Sequence, residues 1–192
     1  DNPLRAAALS IVTTLGMFNV IGDFNWRHNY AGRPELFWPV GLLFLLGIWL
    51  STKRFAFEDK FLFSWLAIFL LPNILSTEWN PHALRALGAM PAAMILAGIG
   101  LVWLYKKIQK YFDDKIENPV LDEYKNQLFR LKKEIFLFLI IFLIFIAAHD
   151  FNKYFSLWAF NPNVANAFSQ GQVKIADYLN NLPKETEKYA IW

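Results

Sequence analysis

Arg27 and His28 in one short stretch, and His82 and Arg85 in another, are the side chains of this 192-residue chain best suited to gripping an anion. The first pair lies in "GDFNWRHNYAGRPELFWP", residues 22 to 39, among Asp23, Asn25, Asn29, Arg33 and Glu35. An arginine fork matches two phosphate oxygens at once, which makes phosphate the natural ligand of such a patch. Gly22, Gly32 and Pro34 are turn formers that would fold the stretch back over a groove. The plainer reading is a local Asp23–Arg27 pair in a wet loop, with Trp26, Tyr30, Phe37 and Trp38 as interface aromatics. The second pair lies in "LPNILSTEWNPHALRALGAMP", residues 71 to 91, after Ser76, Thr77, Glu78 and Asn80. Pro81 suits a first helical position, so a helix starting at Asn80 would set His82 and Arg85 on one face, at the end where the helix dipole favours an anion. An arginine at a membrane boundary needs a partner, either Glu78 or a bound phosphate.

The elements that must position these groups are apolar. Hydrophobic residues make up 56% of the chain and aromatics 18%, against roughly 45–50% apolar in soluble domains. Uncharged runs cover Leu36 to Thr52, Phe61 to Thr77, Ala86 to Tyr105 and Ile135 to His149, and about 20 residues suffice to span a bilayer as helix. The last run is short, and "LDEYKNQLFRLKKE" before it reads as a helical extension with Lys132 and Lys133 reaching to headgroups. Ala6 to Gly22, with Ser10, Thr13, Thr14 and Asn19, fits an interfacial helix and a spanning one equally. Pro72 interrupts the second run near its end. Gly88, Ala92, Ala93, Ala97, Gly98 and Gly100 form a small-residue surface for close helix packing.

The expected fold is an all-α integral membrane bundle of four helices, five if the first run crosses. Residues 1–35 form an interfacial or membrane helix plus an external polar loop. Residues 36–150 form the transmembrane region, with cytoplasmic loops at about 51–60 and 106–134. Residues 151–192 form an external segment in which Val164 to Leu179 is helical and "KYAIW" begins the first strand of a small α/β domain. The two cytoplasmic loops carry eleven of the 19 lysines and arginines, and basic residues near spans stay on the cytoplasmic side. The polar stretches and all three histidines then face outward from a plasma membrane. Because the chain begins at Asp1 and has its first methionine at Met17, it is expected to be a segment of a longer protein.

Several classes find no support. There is no cysteine for a disulfide or thiolate site. Nucleotide loops, hydrolase elbows, nucleic-acid readers and the His-Glu-x-x-His helix are absent from the sequence. His28, His82 and His149, taken with Asp23 or Glu78, fit no local zinc spacing, so the sequence predicts no metal centre. No Asp, Glu, Lys or Arg falls in mid-span, which argues against a transporter or flippase.

"MFNVIGDFNWRHNYAGRPEL" followed by "GLLFLLG", then "LPNILSTEWNPHALRALGAMPAAMILAGIG" and "AFSQGQVKIADYLNNLP", resemble the C-terminal half of integral-membrane glycosyltransferases of the GT-C superfold. The likeness is to the glycosyltransferase family 39-like group, related to dolichyl-phosphate-mannose protein mannosyltransferases and lipid-A aminoarabinose transferases. It covers about residues 17 to 100 well and the tail loosely. The resemblance implies transfer of a sugar from a polyprenyl-phosphate donor to an external protein, lipid or glycan acceptor, with a divalent metal left open. It implies a catalytic carboxylate in an N-terminal half of the same protein, so neither Asp23 nor Glu78 is assigned that role. Arg27, His28 and Arg85 then become contacts to phosphate or sugar, and Ser76, Glu78 and His82 acceptor-side or loop-ordering groups. The alternative is a non-enzymatic membrane scaffold or lipid-binding module, whose loops hold headgroups or a partner.

Overall fold

The computed structural model describes residues 2–76, 79–183 and 186–187, the side chain of Pro119 excepted. Every regular element among them is helical. Helix α1 (Pro3–Gly16) is started by the Asn2 side chain, which accepts from Leu4 N at 3.0 Å, and by Pro3 in the first turn. At 14 residues it is about 21 Å long, short of the ~30 Å hydrocarbon core of a bilayer. Helices α2 (Trp38–Arg54) and α3 (Phe57–Ile74) are joined by a corner of two residues, Phe55 and Ala56. Phe55 closes α2 in a left-handed conformation, φ 47°. Asp59 then locks the corner, taking both prongs of Arg54 at 2.6 and 2.8 Å and the backbone N–H of Ala56 at 2.9 Å.

Two helical stretches are long and apolar enough to cross a membrane, Leu87–Ile116 and Val120–Trp158. The first joins a short 3-10 turn to α4 (Met90–Ile116). The second contains a 3-10 segment (Pro119–Tyr124), α5 (Lys125–Asn152) and a π-helical turn (Lys153–Trp158). In its most apolar part no residue is buried against protein. The last regular elements among the described residues are α6 (Pro162–Ala167) and α7 (Gln170–Asn181).

Four expectations change. The stretch 106–134 is mostly helix, because α4 runs on to Ile116 and α5 begins at Lys125, with Lys132 and Asp113 pairing across the two at 2.5 Å. Lysine and glutamate are unwelcome in lipid but are good helix formers, so charge ended the apolar run without ending the helix. The helix carrying the third apolar run starts at Met90, not Asn80, with Pro91 in its first turn. Pro72 sits inside α3, which continues past it to Ile74. Val164 to Leu179 is broken in two at Ser169, which is left-handed at φ 58°. The strand expected at "KYAIW" lies outside the described residues.

The core is a close crossing of α2 and α4. A Cβ on Gly47 would come within 1.8 Å of the Leu96 carbonyl oxygen, and one on Gly100 within 2.2 Å of the Leu43 carbonyl oxygen. Ala92, Ala93 and Ala97 are buried, as their size suggested, and Leu96 with them, whereas Gly98 faces open space and takes no part. Phe18, Val40, Phe44, Leu66 and Leu70 extend the core toward one end of the bundle. There Glu35 N–H donates to Met17 O at 3.0 Å and Leu36 N–H to Phe18 O at 3.1 Å. These two bonds pinch the base of the 19–34 loop and hold it over the end of the core.

Candidate functional site

The loop is organised around side chains that replace regular backbone pairing. Asp23 Oδ1 accepts from Asn25 N at 2.7 Å, and Asn25 Oδ1 accepts from Arg27 N at 3.0 Å, so two successive Asx turns carry the chain to His28. Asn29, fully buried, donates to Arg33 O at 2.7 Å and to Glu35 Oε1 at 3.0 Å. Gly22 lies against that crossing, where a Cβ would sit 2.1 Å from Arg33 O. Burial pushes the Glu35 carboxyl up to about 7, against the pull of the Asp23 N–H and the Lys153 charge.

The second loop is hung from α3 and α1. Asn73, buried in the last turn of α3, accepts from His82 N at 3.1 Å, while Asn80 donates to Asn73 O at 3.3 Å and to Ser10 Oγ. Thr14, also buried, donates to Asn80 Oδ1 at 3.2 Å. The backbone N–H groups of His82 and Ala83 are taken by Asn73 and by Asp23 Oδ2, the latter at 2.9 Å.

Asp23 is the hinge between the loops. Its Oδ2 also lies 2.8 Å from His28 Nδ1, and the His28 and His82 rings are 4.4 Å apart between centroids. The local Asp23–Arg27 pair is not formed: Arg27 Nε donates instead to the Ala167 carbonyl. Burial, followed by the charges of His28 and Arg85, holds the His82 pKa below the usual histidine value. Arg85 Nη1 donates to Ser76 Oγ at 2.6 Å. The tail closes the third side, with Trp158 Nε1 donating to the carbonyls of Trp26 and Asn29 at 3.0 and 3.1 Å.

Two concavities open among these segments. The larger, about 540 Å³, has Arg27, His28, Glu35 and Tyr154 among its polar lining and Met17, Leu87, Met90 and Phe168 on its apolar walls. The smaller, about 340 Å³, is lined by His82, Arg85, Asn25, Trp26 and Trp79. The structure therefore brings Arg27, His28 and His82 to one junction, with Arg85 and Ser76 beside it. Glu78 lies outside the described residues. His149 is elsewhere, stacked on Phe37 at 3.8 Å.

Sequence reasoning missed Asn73 and Lys153, both buried, and the roles of Asn29 and Tyr154. The available signal was an amide or a lysine inside an apolar helical stretch, which is costly without a partner. It set aside Asp23, His28 and His82 as metal ligands for want of a zinc spacing, yet these three residues offer one ligand atom each, all within 4.8 Å of one another. No local spacing encodes that group, because His82 arrives from a different loop. Compared with known protein families, with curated proteins and with solved structures, the chain matches none.

Proposed function

We propose that this chain is the C-terminal part of a membrane glycosyltransferase that takes a sugar from a polyprenyl-phosphate donor and passes it to an acceptor outside the cell. In this reading α2, α3, α4 and α5 all cross the bilayer and α1 lies at the interface. The loops at the cavity end face outward, and the Arg54–Phe57 corner and the 117–124 turn face the cytoplasm.

The observation that carries the reading is the 540 Å³ cavity, whose lining sets Arg27, His28, Glu35 and Tyr154 among apolar side chains. Such a lining suits a phosphate joined to a hydrocarbon tail. The bond between sugar C1 and the phosphate oxygen breaks as acceptor oxygen bonds C1, and the electron pair leaves with the polyprenyl phosphate. Arg27 and His28 would hold the negative charge that develops on that phosphate, an effect on the order of 3 kcal/mol for each well-placed donor. Arg85, Ser76, Glu78 and His82 would order the neighbouring loop and receive the acceptor. The acceptor's proton goes to a carboxylate supplied by another part of the protein, as the GT-C resemblance implies.

The test is transfer of radiolabelled sugar from polyprenyl-phosphate donors by the full-length gene product in membranes. Arg27→Ala and Arg85→Ala are expected to lower transfer at least about tenfold at unchanged protein level. Unchanged transfer in both would remove these arginines from the site. Absence of transfer from every donor would favour a lipid-binding scaffold.

A further inference from the structure

We infer that Asp23, His28 and His82 form a binding site for one divalent transition-metal ion of the zinc type, joining the 19–34 loop to the 75–86 loop. The site goes beyond the transfer reaction proposed above and does not depend on it.

The donor set is the first argument. Two imidazoles and one carboxylate are a common three-residue ligand set for Zn²⁺ and related ions, and they leave a fourth position open. The geometry is the second. One ligand atom from each residue lies within 4.8 Å of the other two. Two ligands bound tetrahedrally at 2.0–2.1 Å from zinc are about 3.3 Å apart. The Asp23 Oδ2 to His28 Nδ1 separation of 2.8 Å is already close to that, and a His82 ring nitrogen lies within 4.8 Å of a ligand atom of each.

The surroundings are the third argument. A ligating carboxylate is normally oriented by hydrogen bonds from behind. Asp23, only 3% exposed, receives such bonds from the backbone N–H groups of Asn25 at 2.7 Å and Ala83 at 2.9 Å. His82 is fixed at its backbone by the Asn73 side chain, which accepts from its N–H at 3.1 Å. The ligands therefore stand on backbone that is anchored independently of the ion. His28 also lines the 540 Å³ cavity, so the open position would be reachable by an oxygen ligand from that side.

The experiment uses the full-length gene product purified in detergent, stripped with EDTA and dialysed against Zn²⁺ or, as a coloured probe, Co²⁺. Wild type is expected to retain about one equivalent by elemental analysis, to show a Co²⁺ visible spectrum of low coordination number, and to unfold at higher temperature with Zn²⁺ than without. Losing an outer-shell partner alone weakens metal sites 10–100-fold, so His82→Ala should weaken Zn²⁺ binding by at least about 100-fold. His149→Ala should leave it unchanged. Asp23→Asn and His28→Gln serve as second and third variants if His82→Ala does not fold. Stoichiometric Zn²⁺ retained by the folded variants, or wild-type binding no tighter than theirs, would overturn the site and leave a metal-free Asp–His hydrogen bond. Because sugar transfer plays no part in these readouts, failure here is separable from failure of the glycosyltransferase reading.

Discussion

The two ends of the bundle use polar side chains in opposite ways. At the cavity end, the bonds that matter join residues 60 positions apart (Ala83 to Asp23), 129 apart (Trp158 to Asn29) and 140 apart (Arg27 to Ala167). Several of the groups are fully buried, Asn29 and Asn73 among them. At the far end the pairs are Arg54 with Asp59, five apart, Arg130 with Glu134, four apart, and Lys132 with Asp113, 19 apart. Except for Asp59 and the partly covered Lys132, these groups remain substantially in contact with water. The far end can be built from a corner and two helix tips. The cavity end exists only when three distant segments have come together, and its buried amides and carboxylates are costly unless each finds its partner.

That difference predicts unequal responses to substitution. The largest is expected for Gly22→Ala. Its new methyl would need the space of the Arg33 carbonyl, 2.1 Å away, with Glu35 Oε1 at 2.9 Å. Neither the backbone nor the buried Asn29 beside it can yield, so the loop should reopen at a cost of about 3 kcal/mol. Thermal unfolding in detergent measures this, and loss of the Arg27–Ala167 closure should appear as faster cleavage of the 19–34 loop by added protease.

Glu35→Gln comes next, and its effect depends on pH. The Glu35 carboxyl ordinarily titrates at 4.5 and is raised to about 7 in the fold. A raised acid pKa means that the folded state keeps its proton while the unfolded state has lost it, so stability falls as pH climbs from about 4.5 to about 7 and then levels off. After allowance for solvent reaching this partly buried group, the loss is on the order of 2 kcal/mol. In Glu35→Gln that slope should vanish, leaving the variant more stable than wild type at pH 8 and similar at pH 4. An unchanged slope would mean that the charge is accommodated.

Asn73→Leu should cost about 2 kcal/mol, since it keeps the volume but leaves the His82 N–H without its acceptor. A fall in stability without any change in Zn²⁺ binding would show that His82 is held by its other neighbours. Loss of both would identify Asn73 as the peg that presents His82 to His28.

The sequence was legible where its signals were local. Apolar runs marked the positions of α2, α3, α4 and the greater part of α5, and small residues marked the α2–α4 seam at Ala92, Ala93, Ala97 and Gly100. Charge misled at 106–134, because aversion to lipid and preference for helix are separate properties and lysine has both. Arg27, His28, His82 and Arg85 were recognisable by type. Which of them meet was not, since the Asp23–Ala83 bond that sets His82 beside His28 depends on the position of α3 and has no signature in either loop. Asn73 drew no reading and Asn80 was read as a helix start, although the two hold the second loop in place.

Arg130→Ala should do almost nothing, and that is informative. Arg130 Nε is 2.8 Å from Glu134 Oε1, a better distance than several contacts at the cavity end, yet the arginine side chain is 82% exposed. Water already solvates both charges, and exposed pairs of this spacing contribute about 0.3–0.5 kcal/mol. The expected change in unfolding temperature is therefore close to the error of the measurement, and salt should erase what remains. A loss of more than about 1 kcal/mol would mean that the far end is packed against something that excludes water, and the contrast between the two ends would then lie in their partners instead of their burial.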